Sequence, residues 1–116
     1  MGTDIRYQHE NIAVFKIGEP IQLNPLASVQ SFTRVKSAHP HEKPVQVMDN
    51  LCRAVPGQTV LDPFMGSGST GVAVSGINNR KFIGIEIDQK YFDLACKRIS
   101  ESLKQPQAFW ETIDRV

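Results

Sequence analysis

Apolar positions recur with two different periods along this chain. In VQVMDNLCRAV, residues 45–55, Val45, Met48, Leu51, Cys52 and Val55 fall at helical spacing. Pro44 is available to open the first turn, and Pro56-Gly57 to stop the helix. TVLD at 59–62 and KFIGIEI at 81–87 are short apolar runs of strand length, and ENIAVFKI at 10–17 is rich in β-branched and aromatic residues before Gly18 and Pro20. Each of the three predicts a strand. Between the runs at 59–62 and 81–87, Ser69 is placed to cap a helix running to about Gly76. From Gln89 to about Leu103 a further helix is predicted, with Phe92, Ala95, Ile99 and Leu103 on one face. Residues 18–41, rich in Ser, Pro and His, lose any period and read as a long loop; the tail beyond Pro106 allows one more helical turn around Phe109 and Trp110.

Strand, glycine turn, helix, strand, helix is a βαβα unit, which implies parallel strands joined by a right-handed crossover. Two or three strands do not complete such a sheet. The expectation is a partial doubly wound, Rossmann-like α/β fold with an exposed sheet edge and apolar face, and hence homodimerisation or poor solubility.

Composition narrows the partners. A chain of 116 residues that is 41% hydrophobic suits one small domain or a portion of a larger one, and a net charge of +1 supplies no global field for nucleic acid or membrane. No apolar run reaches the roughly 20 residues that cross a bilayer, so no membrane partner and a cytoplasmic location are expected. Cys52 and Cys96 fall in helix-like segments without a signal-peptide pattern and are read as reduced core thiols. His39 and His41 lack a third ligand nearby and are read as loop polarity, with no metal.

The chemistry concentrates in VLDPFMGSGSTG at 60–71. Gly66, Gly68 and Gly71 match G-x-G-x-x-G between a strand and a helix, and Glu86 lies 20 residues beyond Gly66 at the end of the next strand. A carboxylate there can accept from both hydroxyls of a ribose, while the glycines allow close backbone approach. An adenosine-type cofactor follows. Asp62 separates the candidates: it would repel a pyrophosphate lying over the loop and attract the sulfonium and ammonium of S-adenosylmethionine. Phe64 offers a flat apolar surface beside the loop. Simpler roles stand beside these, a turn-forming acid before Pro63 for Asp62 and a core aromatic for Phe64.

With these residues in view, HPHEKP at 39–44, LDPFMGSGSTG at 61–71 and GIEID at 84–88 resemble motifs X, I and II of the β-class DNA amino-methyltransferases, in that family's order. The resemblance is strong over about residues 39–103, and YQHENIAVFKIGEP at 7–20 is more loosely similar to the segment preceding the cofactor half. Family members methylate the exocyclic amine of adenine (N6) or cytosine (N4) in DNA. By this resemblance Asp62, Phe64, Gly66, Ser67 and Gly68 line the methionine side of S-adenosylmethionine and Glu86 takes the ribose. Lys43 and Pro44 sit by the methionine carboxylate, where a flexible cation is apt; a solvated lysine before a helix is the simpler role for Lys43.

The sequence departs from the family in one respect. Family members carry an Asp/Asn/Ser-Pro-Pro-aromatic loop that polarises the target amine of a flipped base, and this chain has no adjacent pair of prolines. In the β-class order that loop lies upstream of the motifs found here. The expectation is a cofactor-binding C-terminal portion (39–116) preceded by a strand and polar loop (1–38). It is expected to be inactive alone, to bind cofactor weakly or not at all, and to have adenine rather than cytosine as the family target. Its partners would be DNA and either a second copy or the missing catalytic half. Two alternatives remain: an NAD(P)-type nucleotide-binding fragment, and a non-catalytic DNA- or partner-binding remnant using Arg34, Lys36 and the 18–41 loop.

Overall fold

The computed structural model describes residues 10–18, 22–32 and 42–105. Their elements run α1 (Val45–Ala54), β1 (Thr59–Asp62), α2 (Ser69–Ser75), β2 (Lys81–Gly84) and α3 (Gln89–Ser102). β1 and β2 pair in parallel, Thr59 with Lys81 through Asp62 with Gly84, and α2 is the crossover between them. This is the small α/β unit that the sequence pattern implies. α2 is the centre of the packing, against α1, α3 and β2. Ala73, Val74 and Ala95 form its most completely buried layer.

Small residues let these elements approach closely. A Cβ at Gly71 would collide with Ile99 of α3 and the Phe82 ring of β2, and one at Gly84 with Met65 and the same ring. Gly68 has φ +86° and a Cβ there would lie 2.9 Å from that of Ala95. The motif's glycines at 68 and 71 are therefore required by packing of α2 against α3 and β2 as well as by turn geometry.

Four sequence expectations change. Residues 10–17 form no strand; Phe15 and Ile17 are 85% and 93% exposed, since among the described residues no neighbour offers this segment a ladder. β2 ends at Gly84 rather than Ile87, because the chain turns away from β1 at Pro63, and the Ile85 carbonyl instead accepts from the Met65 N–H at 3.0 Å. Ser69 is not the cap of α2. Left-handed Gly68 holds that position, and Ser69 is the first helical residue, its Oγ buried without a partner. Finally, Cys52 is a buried thiol as expected but Cys96 is exposed on the outer side of α3, and both are free.

α3 also shows its cap. Asp88 accepts from the Tyr91 N–H at 3.2 Å, the usual service of a short acid at a helix start. Its predicted face divides: Ala95 is buried while Phe92 and Leu103 are exposed. Opposite the helices, Leu61 and Ile83 pair across the strands and are 59% and 52% exposed, so one face of the sheet is bare. The segment 22–32 lies along the end of α1, where Asn24 donates from its backbone to Ala54 and from its side chain to Arg53. Arg80 closes the same end through the carbonyls of Cys52 and Val55. The tail beyond 105 and its expected turn around Phe109 and Trp110 lie outside the described residues.

Candidate cofactor cleft

Parallel pairing brings the C-terminal ends of β1 and β2 side by side, and the loops leaving them form a cleft of about 330 Å³. Such a crevice beyond the carboxyl ends of parallel strands is where open α/β sheets bind ligands. Its lining includes Asp62 from the end of β1, Phe64, Gly66 and Ser67 from the loop after it, Glu86 from the second loop, and Lys43 from the strap entering α1. Six of the eight residues expected from the sequence for the cofactor are thus gathered at one place. Pro44 and Gly68 stand behind the lining, Pro44 as the N-cap of α1 and Gly68 as that of α2. Arg34, Lys36, His39 and His41 lie outside the described residues, within which no group of metal-binding side chains occurs.

Each carboxylate is oriented by the backbone around it. Glu86 accepts from the Gly66 N–H at 2.8 Å with one oxygen and from the Asp88 N–H at 2.9 Å with the other. The two loops are thereby joined across the sheet ends. Asp62 accepts from the Phe64 N–H at 3.1 Å and from Thr70 Oγ1 at 2.8 Å. Its turn-forming role is real and at the same time fixes the carboxylate at the cleft. A carboxylate oxygen accepts more than one hydrogen bond, so both acids keep acceptor capacity for a ligand. Phe64 is 88% exposed, which excludes the core role and leaves its ring as an apolar rim.

Lys43 pairs with Glu10 at 2.5 Å, both side chains being open to water. An exposed pair of this kind contributes little and is easily exchanged for another anion. Glu42, also in the lining, is held more firmly. It accepts from Ser67 Oγ at 3.1 Å and forms an ion pair with Arg98 at 2.9 Å, and Arg98 donates to the Ser67 carbonyl and Oγ, each at 2.8 Å. Sequence reasoning missed Glu42, Met48, Met65, Ser69 and Thr70 of the lining, and Arg98 behind it. Thr70 was signalled by its place in the glycine motif; for Arg98 no signal existed.

Three carboxylates and a single ammonium among the lining residues make the cleft acidic. That polarity suits a cationic ligand and opposes a pyrophosphate. The donor set fits S-adenosylmethionine: acids for the positive groups and the ribose, an exchangeable lysine for the carboxylate, an aromatic rim for apolar surface.

The family model for DNA methylases of the N6/N4 type matches residues 5–97, and the chain belongs to that family. DNA is the family's substrate and S-adenosylmethionine its cofactor. Type II methyltransferase M.HinfI of Haemophilus influenzae is 44% identical over 73 residues, 61% of this chain and 20% of that protein. DNA adenine methyltransferase YhdJ of Escherichia coli is 44% identical over 63 residues, 53% of this chain and 21% of that protein. The crystal structure of the M1.HpyAVI–SAM complex aligns with a TM-score of 0.51 and 34% identity, over 66% of this chain and 43% of that one. The match therefore spans about a fifth of the length of these two relatives. Family membership and the acidic cleft together decide against the NAD(P)-type alternative. No described helix is long and apolar enough to cross a membrane.

Proposed function

We propose that this chain is the S-adenosylmethionine-binding portion of a DNA amino-methyltransferase, with adenine N6 rather than cytosine N4 as the target. The observation that carries the reading is the bond from the Gly66 N–H to Glu86, which sets a carboxylate across from Asp62 at the ends of two parallel strands. Glu86 receives the ribose hydroxyls, and Asp62 faces the cationic methionine end. Phe64, Gly66 and Ser67 form the wall, Gly68 holds the loop from behind, and Lys43, carried by Pro44, trades Glu10 for the ligand carboxylate. The adenine preference is supported by the similarity to the DNA adenine methyltransferase YhdJ. Arg34 and Lys36 are proposed as phosphate contacts on the strength of their charge alone.

The chain does not transfer methyl groups alone. Support comes from the lack of adjacent prolines in the 116 residues, since the amine-polarising loop of the family requires them. The bare sheet face supports a second copy, or a separate catalytic half, as its partner. Purified chain incubated with DNA and labelled S-adenosylmethionine is expected to give no methylated DNA and weak cofactor retention in equilibrium dialysis. Turnover by the chain alone would refute the inactivity, and undiminished binding of NAD in place of S-adenosylmethionine would refute the cofactor assignment.

A further inference from the structure

Arg98 makes two hydrogen bonds and one ion pair, all to residues of the cleft lining, without lining the cleft itself. Its guanidinium reaches from α3 to the Ser67 carbonyl and Oγ and to Glu42, while Ser67 Oγ closes the ring by donating to the other Glu42 oxygen. Three separate stretches of chain are thus tied at one point: the strap 42–44, the glycine loop and α3. The side chains of Arg98 and Glu42 are only 23% and 17% exposed, and Ser67 is buried. Removing two charges from water is costly, and a pair in such a position is justified only where every donor and acceptor is used in good geometry. The planar fork of arginine can face Ser67 and Glu42 at once, which the point charge of an ammonium does less well.

Lys43 cannot hold its own place. Its pair with Glu10 is open to solvent, and no helix surrounds it before Val45. What fixes the strap against the glycine loop is the preceding residue, Glu42. We infer that Arg98 is a positioning residue: by latching Glu42 and Ser67 together it preforms the end of the cleft that receives the methionine carboxylate, leaving the ribose end to Glu86. Preforming a site removes an ordering cost from binding. The inference rests on the cofactor reading above, and its test separates the two.

The test uses the whole chain, isotopically labelled, with Arg98→Gln and Glu42→Gln as variants; the second leaves the arginine bonds to Ser67 in place. Two probes are titrated by NMR: S-adenosylhomocysteine, which carries the amino-acid end, and 5′-methylthioadenosine, which lacks it. Both variants are expected to weaken S-adenosylhomocysteine about tenfold, equivalent to about 1.4 kcal/mol, and methylthioadenosine by less than about twofold. Amide exchange should accelerate at Val47 and Met48, whose N–H groups donate to the Pro44 carbonyl of the strap, while that of Ile83 stays as in the unmodified chain. Equal weakening of both probes, or no change in either, would overturn the latch. If the unmodified chain binds neither probe at millimolar concentration, the cofactor reading fails, and the exchange pattern decides on its own: an unaltered strap overturns the latch, a released one upholds it.

Discussion

Replacing Glu86 by Gln changes one atom and disturbs two backbone bonds. The carboxylate accepts from the Gly66 and Asp88 N–H groups at 2.8 and 2.9 Å, and bonds of this type to a charged acceptor contribute about 1.5–3 kcal/mol each. Glutamine keeps a single acceptor oxygen, so one bond becomes neutral and the other N–H faces an amide donor. Glu86 is only partly buried, so water takes up part of the loss, and the net destabilisation expected is about 2 kcal/mol. For a chain of 116 residues the unfolding entropy is about 0.24 kcal/mol/K, which turns that loss into a fall of about 8 °C in melting midpoint. Circular dichroism melts of both proteins measure it, and the Gly66 amide resonance reports whether the loop has moved. A midpoint within about 2 °C of the parent, with the Gly66 resonance unshifted, would refute the view that Glu86 joins the two loops.

The two cysteines should behave differently. Burial is the main cause raising the Cys52 thiol above its usual 9.0, with Asp49 and Asp62 adding to it and Arg80 opposing. Above pH 9.0 the unfolded chain loses that proton first, so this stability contribution is complete below that value and declines as pH rises towards the folded pKa. Urea midpoints measured from pH 8 to 10 should therefore fall in the parent and less steeply in Cys52→Ala; parallel slopes would contradict this. In native protein, iodoacetamide should label exposed Cys96 well before Cys52, and peptide mass spectrometry giving the opposite order would count against the burial. Sedimentation velocity over a concentration series should show association through the uncovered strand face, with Leu61→Lys and Ile83→Lys shifting the chain to monomer. A stable monomer in the parent at high concentration would rule that out.

Much of the fold was legible because its cues are local. α1 and α3 each came within a residue of their predicted ends, and β1 matched in full, since periodicity and flanking Pro and Gly act within a few residues. The strand expected at 10–17 failed for a different reason. Its β-branched and aromatic residues mark a surface that wants neighbours, and the pattern cannot say whether the same chain supplies them. Ser69 looked like a cap by residue type, but a left-handed Gly68 had already turned the backbone. Asp62 and Glu86 were found because a motif spacing encodes their meeting. Glu42 and Arg98 meet across 56 residues with no such spacing, so only the folded geometry joins them.

Those separations also grade the cost of assembling the cleft. The β1–β2 register closes a loop of 22 residues between Thr59 and Lys81, and α2 shortens it further by folding inside it. Joining Glu42 to Arg98 closes a span of 56, which by chain entropy alone costs about 0.8 kcal/mol more. The floor that carries both acids is therefore a nearly local structure, whereas the wall beside Lys43 depends on a long-range tie and is the first part to be surrendered when the chain is stressed.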